Sequence, residues 1–153
     1  MTTTKRFTKK LLYSLIVIMT MLNGSSCSKS ETATNATMSA TVNGSNITFT
    51  TSVSLSNGYT VVQGNGSSYS ITIVLKTVSS GIYTLGLQAS GYYATVSDNF
   101  GNSYSTDAAN TGQITLSKSG ANYNGTFYFT ANETSPIAGG GNVNVTNGSC
   151  SNI

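Results

Sequence analysis

Alternation of apolar and polar residues, running from Met38 almost to the C-terminus, constrains this chain more than any other feature. Met38, Ala40 and Val42 alternate with Ser39, Thr41 and Asn43; Ile47, Phe49, Val53 and Leu55 alternate with Thr48, Thr50, Ser52 and Ser54. Ile71, Ile73 and Leu75 share one face, as do Tyr83, Leu85 and Leu87, then Ile114 and Leu116, Phe127, Phe129 and Ala131, and Val143 and Val145. Successive side chains of a strand point to opposite sides, so this period marks sheet with one buried and one wet face. No segment after residue 38 sustains a 3.6-residue period, so helix is expected to be nearly absent.

Turn signals interrupt the runs at hairpin spacing: Asn43-Gly44, Asn57-Gly58, Asn65-Gly66, Ser80-Gly81, Ser90-Gly91, Phe100-Gly101, Ser119-Gly120 and Asn124-Gly125. Asn and Gly tolerate the positive φ that two-residue hairpin turns require. The intervals are too short for crossover helices, which makes the pairing antiparallel. The only proline, Pro136, lies with Gly139-Gly140-Gly141 in the longest expected loop. The fold class that follows is all-β, an antiparallel β-sandwich or a meandering β-barrel of about nine or ten short strands. Alternation says which face is buried and not which edges join, so both architectures stay open at this point.

Composition agrees with sheet. Charged residues make up 7% of the chain, against about 25% in an ordinary domain, and polarity comes instead from Ser, Thr, Asn and Gly. Of seven cationic residues, Lys5, Arg6, Lys9 and Lys10 stand in the first ten positions. From Cys27 onward, Lys29, Lys76 and Lys118 face Glu31, Asp98, Asp107 and Glu133, a net charge of about −1. Nucleic-acid binding needs clustered cations against phosphate, and this segment has none.

The first 26 residues have the anatomy of a secretory signal: a basic start, the twelve-residue apolar run of residues 11–22, then Asn23-Gly24-Ser25-Ser26. Twelve helical residues span about 18 Å, short of the ~30 Å hydrocarbon core, which argues against a membrane-spanning helix. Ser25-Ser26-Cys27 resembles the lipobox of bacterial lipoproteins, with Gly24 standing where a large aliphatic residue is usual. That resemblance implies a signal peptide over residues 1–26 and lipidation of Cys27. Residues 27–37 then read as the lipidated Cys and a flexible tether, and 38–153 as one all-β domain. Cys27-Ser28-Lys29-Ser30 is similar to the start of mature lipoproteins in the Bacteroidota. Ser28, in place of the Asp that retains enterobacterial lipoproteins at the inner membrane, implies an outer-membrane location, with the membrane face open.

The C-terminal half carries a second resemblance. Gly81-Ile82-Tyr83-Thr84-Leu85, Gly112-Gln113-Ile114-Thr115-Leu116-Ser117-Lys118, Asn124-Gly125-Thr126-Phe127-Tyr128-Phe129-Thr130-Ala131 and Val143-Asn144-Val145-Thr146-Asn147-Gly148-Ser149-Cys150 occur in that order. In order and spacing they resemble an uncharacterised Bacteroidota lipoprotein domain, with Cys150 where that family usually has an aromatic residue. The family has no established activity, so the resemblance implies no catalytic residues.

Candidate chemistry is sparse. The chain has no His, which removes the commonest general base and metal ligand. Asp98 and Asp107 are the one pair to weigh as glycosidase-like carboxylates, against the reading that each flanks a turn and binds nearby amides. Asp98-Asn99-Phe100-Gly101-Asn102 has part of a calcium-loop pattern without its remaining ligands. Tyr59, Tyr69, Tyr83, Tyr92, Tyr93, Tyr104, Tyr123 and Tyr128 read as strand formers with their hydroxyls at the wet margin of a core. An exposed row of them beside Asn is the arrangement that stacks on sugar rings. Cys150 reads as a small apolar filler.

The expectation is therefore a lipoprotein without catalytic residues, metal or cofactor, held to the outer membrane through Cys27. Its domain would act by binding a protein or glycan partner or as an envelope structural part. The alternatives are a small-ligand carrier with a barrel cavity and a glycan-binding module.

Overall fold

The computed structural model describes residues 35–134 and 141–153; Cys27 and the Pro136 loop fall outside the described residues. Ten strands account for most of it: β1 Thr37–Val42, β2 Ser45–Ser56, β3 Tyr59–Asn65, β4 Tyr69–Leu75, β5 Gly81–Leu85, β6 Tyr92–Asp98, β7 Ser103–Ser105, β8 Gly112–Ser119, β9 Asn122–Glu133 and β10 Asn142–Ser151. The one helical element among the described residues is a 3-10 turn at Gln88–Ser90, closed by Gly91 at φ 79°. All pairings are antiparallel.

The architecture is a barrel. Strands run in the order β10-β1-β2-β3-β4-β6-β7-β9, and β9 pairs back onto β10, closing eight strands into a ring. Strands β7 and β8 lie end to end along the edge of β9 opposite β10: Ser105 pairs with Asn132 and Gly112 with Phe129. Strand β5 leaves the meander to add to the far edge of β8. Its end meets β6 through Gly86 N–H donating to Tyr92 O at 3.0 Å, and Tyr83 stacks on Tyr92 with centroids 5.1 Å apart.

Local chemistry explains the hairpins. Asn43-Gly44 and Asn57-Gly58 both carry positive φ at both positions, and each joins its strands through a two-residue loop. Asn124-Gly125 does not turn the chain, contrary to the sequence reading. It lies inside β9, where a Cβ on Gly125 would stand 2.7 Å from Leu116 Cδ2 and 3.2 Å from Cys150 Sγ. Gly is needed there for close approach, and the turn falls at Gly120-Ala121 instead. Asn147, at φ 50°, sits in a register shift between Val145 and Gly148, a bulge that bends β10.

Inward positions form one apolar cluster. It includes Met38, Ala40, Val42, Phe49, Val53, Ile71, Ile73, Leu75, Leu85, Ile114, Leu116, Phe127, Phe129, Ala131, Val143, Val145 and Cys150, most of them read from the alternation. Ile47 and Tyr83 pack against it half-buried, and two expected members stand clear of it. Leu55 is 59% exposed at the end of β2, beyond the last layer of the core, and Leu87 is exposed beside the 3-10 turn. An eight-stranded barrel has an interior about wide enough for such side chains to fill.

Because the strands alternate in direction, the turns divide between two rims. One rim holds Asn35, the Asn57-Gly58 turn, residues 76–80, the Gly120-Ala121 turn and the C-terminus, with Asn152 Nδ2 donating to Asn35 O. The other holds the Asn43-Gly44, 66–68 and 99–102 turns, the end of β9 and the start of β10. No helix among the described residues is long and apolar enough to cross a membrane.

Candidate functional site

Two breaks in the alternation locate a groove on the outer wall. Val61-Val62 and Ile73-Val74-Leu75 are consecutive apolar residues, so one of each set must face away from the core. Val62, Ile73 and Leu75 point inward, while Val61 and Val74 lie on the outer wall. Register aligns Val61 with Val74 and Val74 with Tyr93, giving an apolar stripe across β3, β4 and β6. Tyr59 adds to it from the start of β3, and Gly91 lets the 3-10 turn approach the same wall, since a Cβ there would lie 3.1 Å from Tyr59 Cε1.

The result is a groove of about 320 Å³ lined by Ser56, Asn57, Tyr59, Val61, Val74, Gln88 and Tyr93. Val74 is buried although it faces outward. Gln88 Nε2 donates to the Tyr93 hydroxyl at 3.5 Å. No charged side chain lines the groove. Its chemistry is two phenol rings, an apolar floor, two carboxamides and a hydroxyl, which suits a neutral ligand with both CH faces and hydroxyl groups. A second, wider depression of about 510 Å³ follows the β10 bulge, with Tyr128, Thr126, Thr146, Asn147 and Ser149 on its walls.

Asp98 closes the β6–β7 turn: its Oδ1 accepts from Phe100 N and Asn102 N, both at 2.9 Å, and its Oδ2 from Asn102 Nδ2 at 2.8 Å. The Asn102 side-chain amide, then the turn amides, hold this carboxyl below the usual carboxylate range. Asp107 does the same after β7, accepting from Ala109 N at 2.8 Å and Asn110 N at 2.6 Å, and the Asn110 and Ala109 amides lower it in turn. Each carboxylate is thus engaged in its own turn. Among the described residues no three of His, Cys, Asp and Glu gather as a metal site would require. Cys150 is buried in the core, where burial pushes its thiol up to about 11, so it is protonated at neutral pH.

The tyrosines split by position. Tyr69, Tyr83, Tyr92, Tyr104 and Tyr123 pack against the core from its margin, Tyr128 is 54% exposed, and Tyr59 and Tyr93 flank the groove. Gln88, Val61 and Val74 were not among the sequence candidates. Neither was Thr106, a buried polar side chain 3% exposed where β5, β6 and β7 diverge. Its Oγ1 donates to Gly86 O at 2.7 Å and accepts from Ala94 N at 3.0 Å, and its own N–H donates to Ala94 O at 2.9 Å.

With this geometry in place, comparison with known proteins identifies a family. Residues 35–153 match the family described as a domain of unknown function (DUF6252), and the chain belongs to it. No curated protein and no solved structure matches the chain.

Proposed function

We propose that this DUF6252 barrel is the binding module of an outer-membrane lipoprotein, lipidated at Cys27, and that it takes a neutral glycan on its outer wall between Tyr59 and Tyr93 without catalysing a reaction. The observation that carries the ligand class is the groove itself: two aromatic faces over the Val61–Val74 floor, with Gln88 and Asn57 as polar partners and no charge in the lining. Aromatic rings pack on the CH faces of a pyranose while carboxamides exchange hydrogen bonds with its hydroxyls. A volume of about 320 Å³ lies at the lower end of the range for small-ligand sites. A carrier would hold its ligand inside the barrel, and the contiguous apolar cluster there supports the wall over the interior as the binding face.

Two measurements test the reading. Metabolic labelling with a clickable palmitate tags the wild-type chain and not Cys27→Ser; equal labelling of both removes the anchor. Titration with neutral oligosaccharides gives binding that Tyr59→Ser and Tyr93→Ser each weaken by about tenfold or more, the usual effect of removing an anchoring aromatic. Tyr128→Ser leaves that binding intact. Loss in Tyr128→Ser with none in the other two moves the site to the β10 bulge.

A further inference from the structure

The few charges of the barrel are sorted by height. Lys76 directly follows the last residue of β4, and Lys118 stands two residues before the Gly120-Ala121 turn, its N–H bonded to Ser80 Oγ at 3.1 Å. Both belong to the rim where Asn35 enters. Asp98 and Glu133 end β6 and β9 at the opposite rim, close enough together that both charges act on the Tyr104 hydroxyl. Asp107 lies between the rims, one residue beyond Thr106, whose N–H donates to Ala94 O near the start of β6. Among the described residues, then, both lysines lie at one rim and two of the three carboxylates at the other.

Exposed apolar side chains accompany the lysines. Leu55 projects beyond the core next to the Asn57-Gly58 turn, 59% exposed, and Ile82 stands on the outer face of β5 near Ser80, 65% exposed. We infer that this rim docks on the anionic phospholipid surface, with Leu55 and Ile82 entering the headgroup layer and Lys76 and Lys118 over lipid phosphates. The inference rests on the lipid anchor proposed above and adds an orientation to it.

Chain length favours the same face. Eight peptide links separate Cys27 from Asn35, a span of about 16 Å for a flexible segment and at most about 28 Å when extended. Asn35 is held beside the C-terminus on the lysine rim, so the short tether keeps that rim nearest the bilayer. Lys29 and Glu31 in the tether offset one another. The rival contact is Phe100, 84% exposed at the tip of the β6–β7 turn. It shares its rim with Asp98 and Glu133, which anionic lipid repels. Each lysine near such a surface strengthens docking about fivefold, and salt weakens it.

The chain contains no Trp, so an introduced one reports alone. The lipidated full chain carrying Leu55→Trp or Phe100→Trp is reconstituted into vesicles of phosphatidylethanolamine and brominated phosphatidylglycerol. Both positions are exposed enough to take the ring. Co-flotation with the vesicles reads the anchor, and quenching by bromine reads the orientation. The expected result is flotation of both, strong quenching at position 55, and little at position 100. Adding Lys76→Ala and Lys118→Ala, or raising salt, relieves the quenching while flotation persists. Flotation with equal quenching at both positions, or with quenching confined to position 100, overturns the orientation and leaves the anchor standing. Absence of flotation overturns both.

Discussion

Phe129→Ala is expected to lower the urea midpoint of the domain sharply, with Phe127→Ala close behind and Tyr128→Ala far milder. Phe127 and Phe129 sit on the inward face of β9, both almost fully buried, with ring centroids 6.3 Å apart. Strand β9 is the seam of the barrel, since β10 pairs along one edge while β8 and β7 share the other. Removing a buried Phe ring forfeits its transfer free energy and leaves a cavity, about 3–5 kcal/mol together. Domains have only about 5–15 kcal/mol in total. Collapse around the hole is restricted at Phe127, because the β10 bulge brings Gly148 directly against its ring. Tyr128 points the other way and is 54% exposed. Its loss removes a cross-strand contact with Gln113, worth about 0.2–1 kcal/mol. Denaturant titration at unchanged slope is the measurement. A Tyr128→Ala variant less stable than Phe129→Ala would reverse the inward face of β9.

Thr106→Val is expected to destabilise the domain nearly as much while changing almost no volume. The substitution keeps the branched shape and deletes the hydroxyl, so Gly86 O loses its donor and Ala94 N–H its acceptor at the point where β6 parts from β7 and meets β5. A buried polar group left without a partner costs about 1–3 kcal/mol, and two are orphaned here. Thr106→Ser retains the hydroxyl and should recover most of the loss. Amide exchange separates this mechanism from a packing effect. In Thr106→Val the Ala94 amide, and that of Gly86 bonded to Tyr92 O, should exchange faster while amides in the β1–β2 hairpin change little until global unfolding intervenes. Equal stability of the Val and wild-type proteins would show that the hydroxyl does not pin the branch.

The contrast between these two positions shows where sequence reasoning reached. The Phe127–Phe129 pair is legible from alternation alone, because a strand exposes its period to anyone counting by twos. Thr106 is one Thr among many in a Thr-rich chain. It becomes special only because the barrel wall forks there and two backbone groups would otherwise be buried without partners. The groove is an intermediate case. The consecutive apolar pairs Val61-Val62 and Val74-Leu75 signal that an outward patch exists, and eight tyrosines were visible as candidates. Which two flank the patch follows from the register of β3, β4 and β6, which brings Tyr59 and Tyr93 to one wall across more than thirty residues of chain.

By itself the sequence determined the all-β class, the antiparallel pairing, the inward face of nearly every strand and the Asn43-Gly44 and Asn57-Gly58 hairpins. Those are local properties, settled by side-chain period and by the φ that Asn and Gly tolerate. Tertiary structure decided the rest. It closed the sheet into a barrel, sent β5 to the edge of β8, and drew Asn124-Gly125 inside β9 against a turn propensity of its own. It also set Lys76 and Lys118 at the rim that holds Asn35, and Asp98 and Glu133 at the other. These outcomes depend on which strand edges find each other and on how closely backbones must approach to fill the interior. Period-two patterning is indifferent to both, because any antiparallel neighbour satisfies the hydrogen bonds of an edge equally well until the side chains of the closed ring are packed.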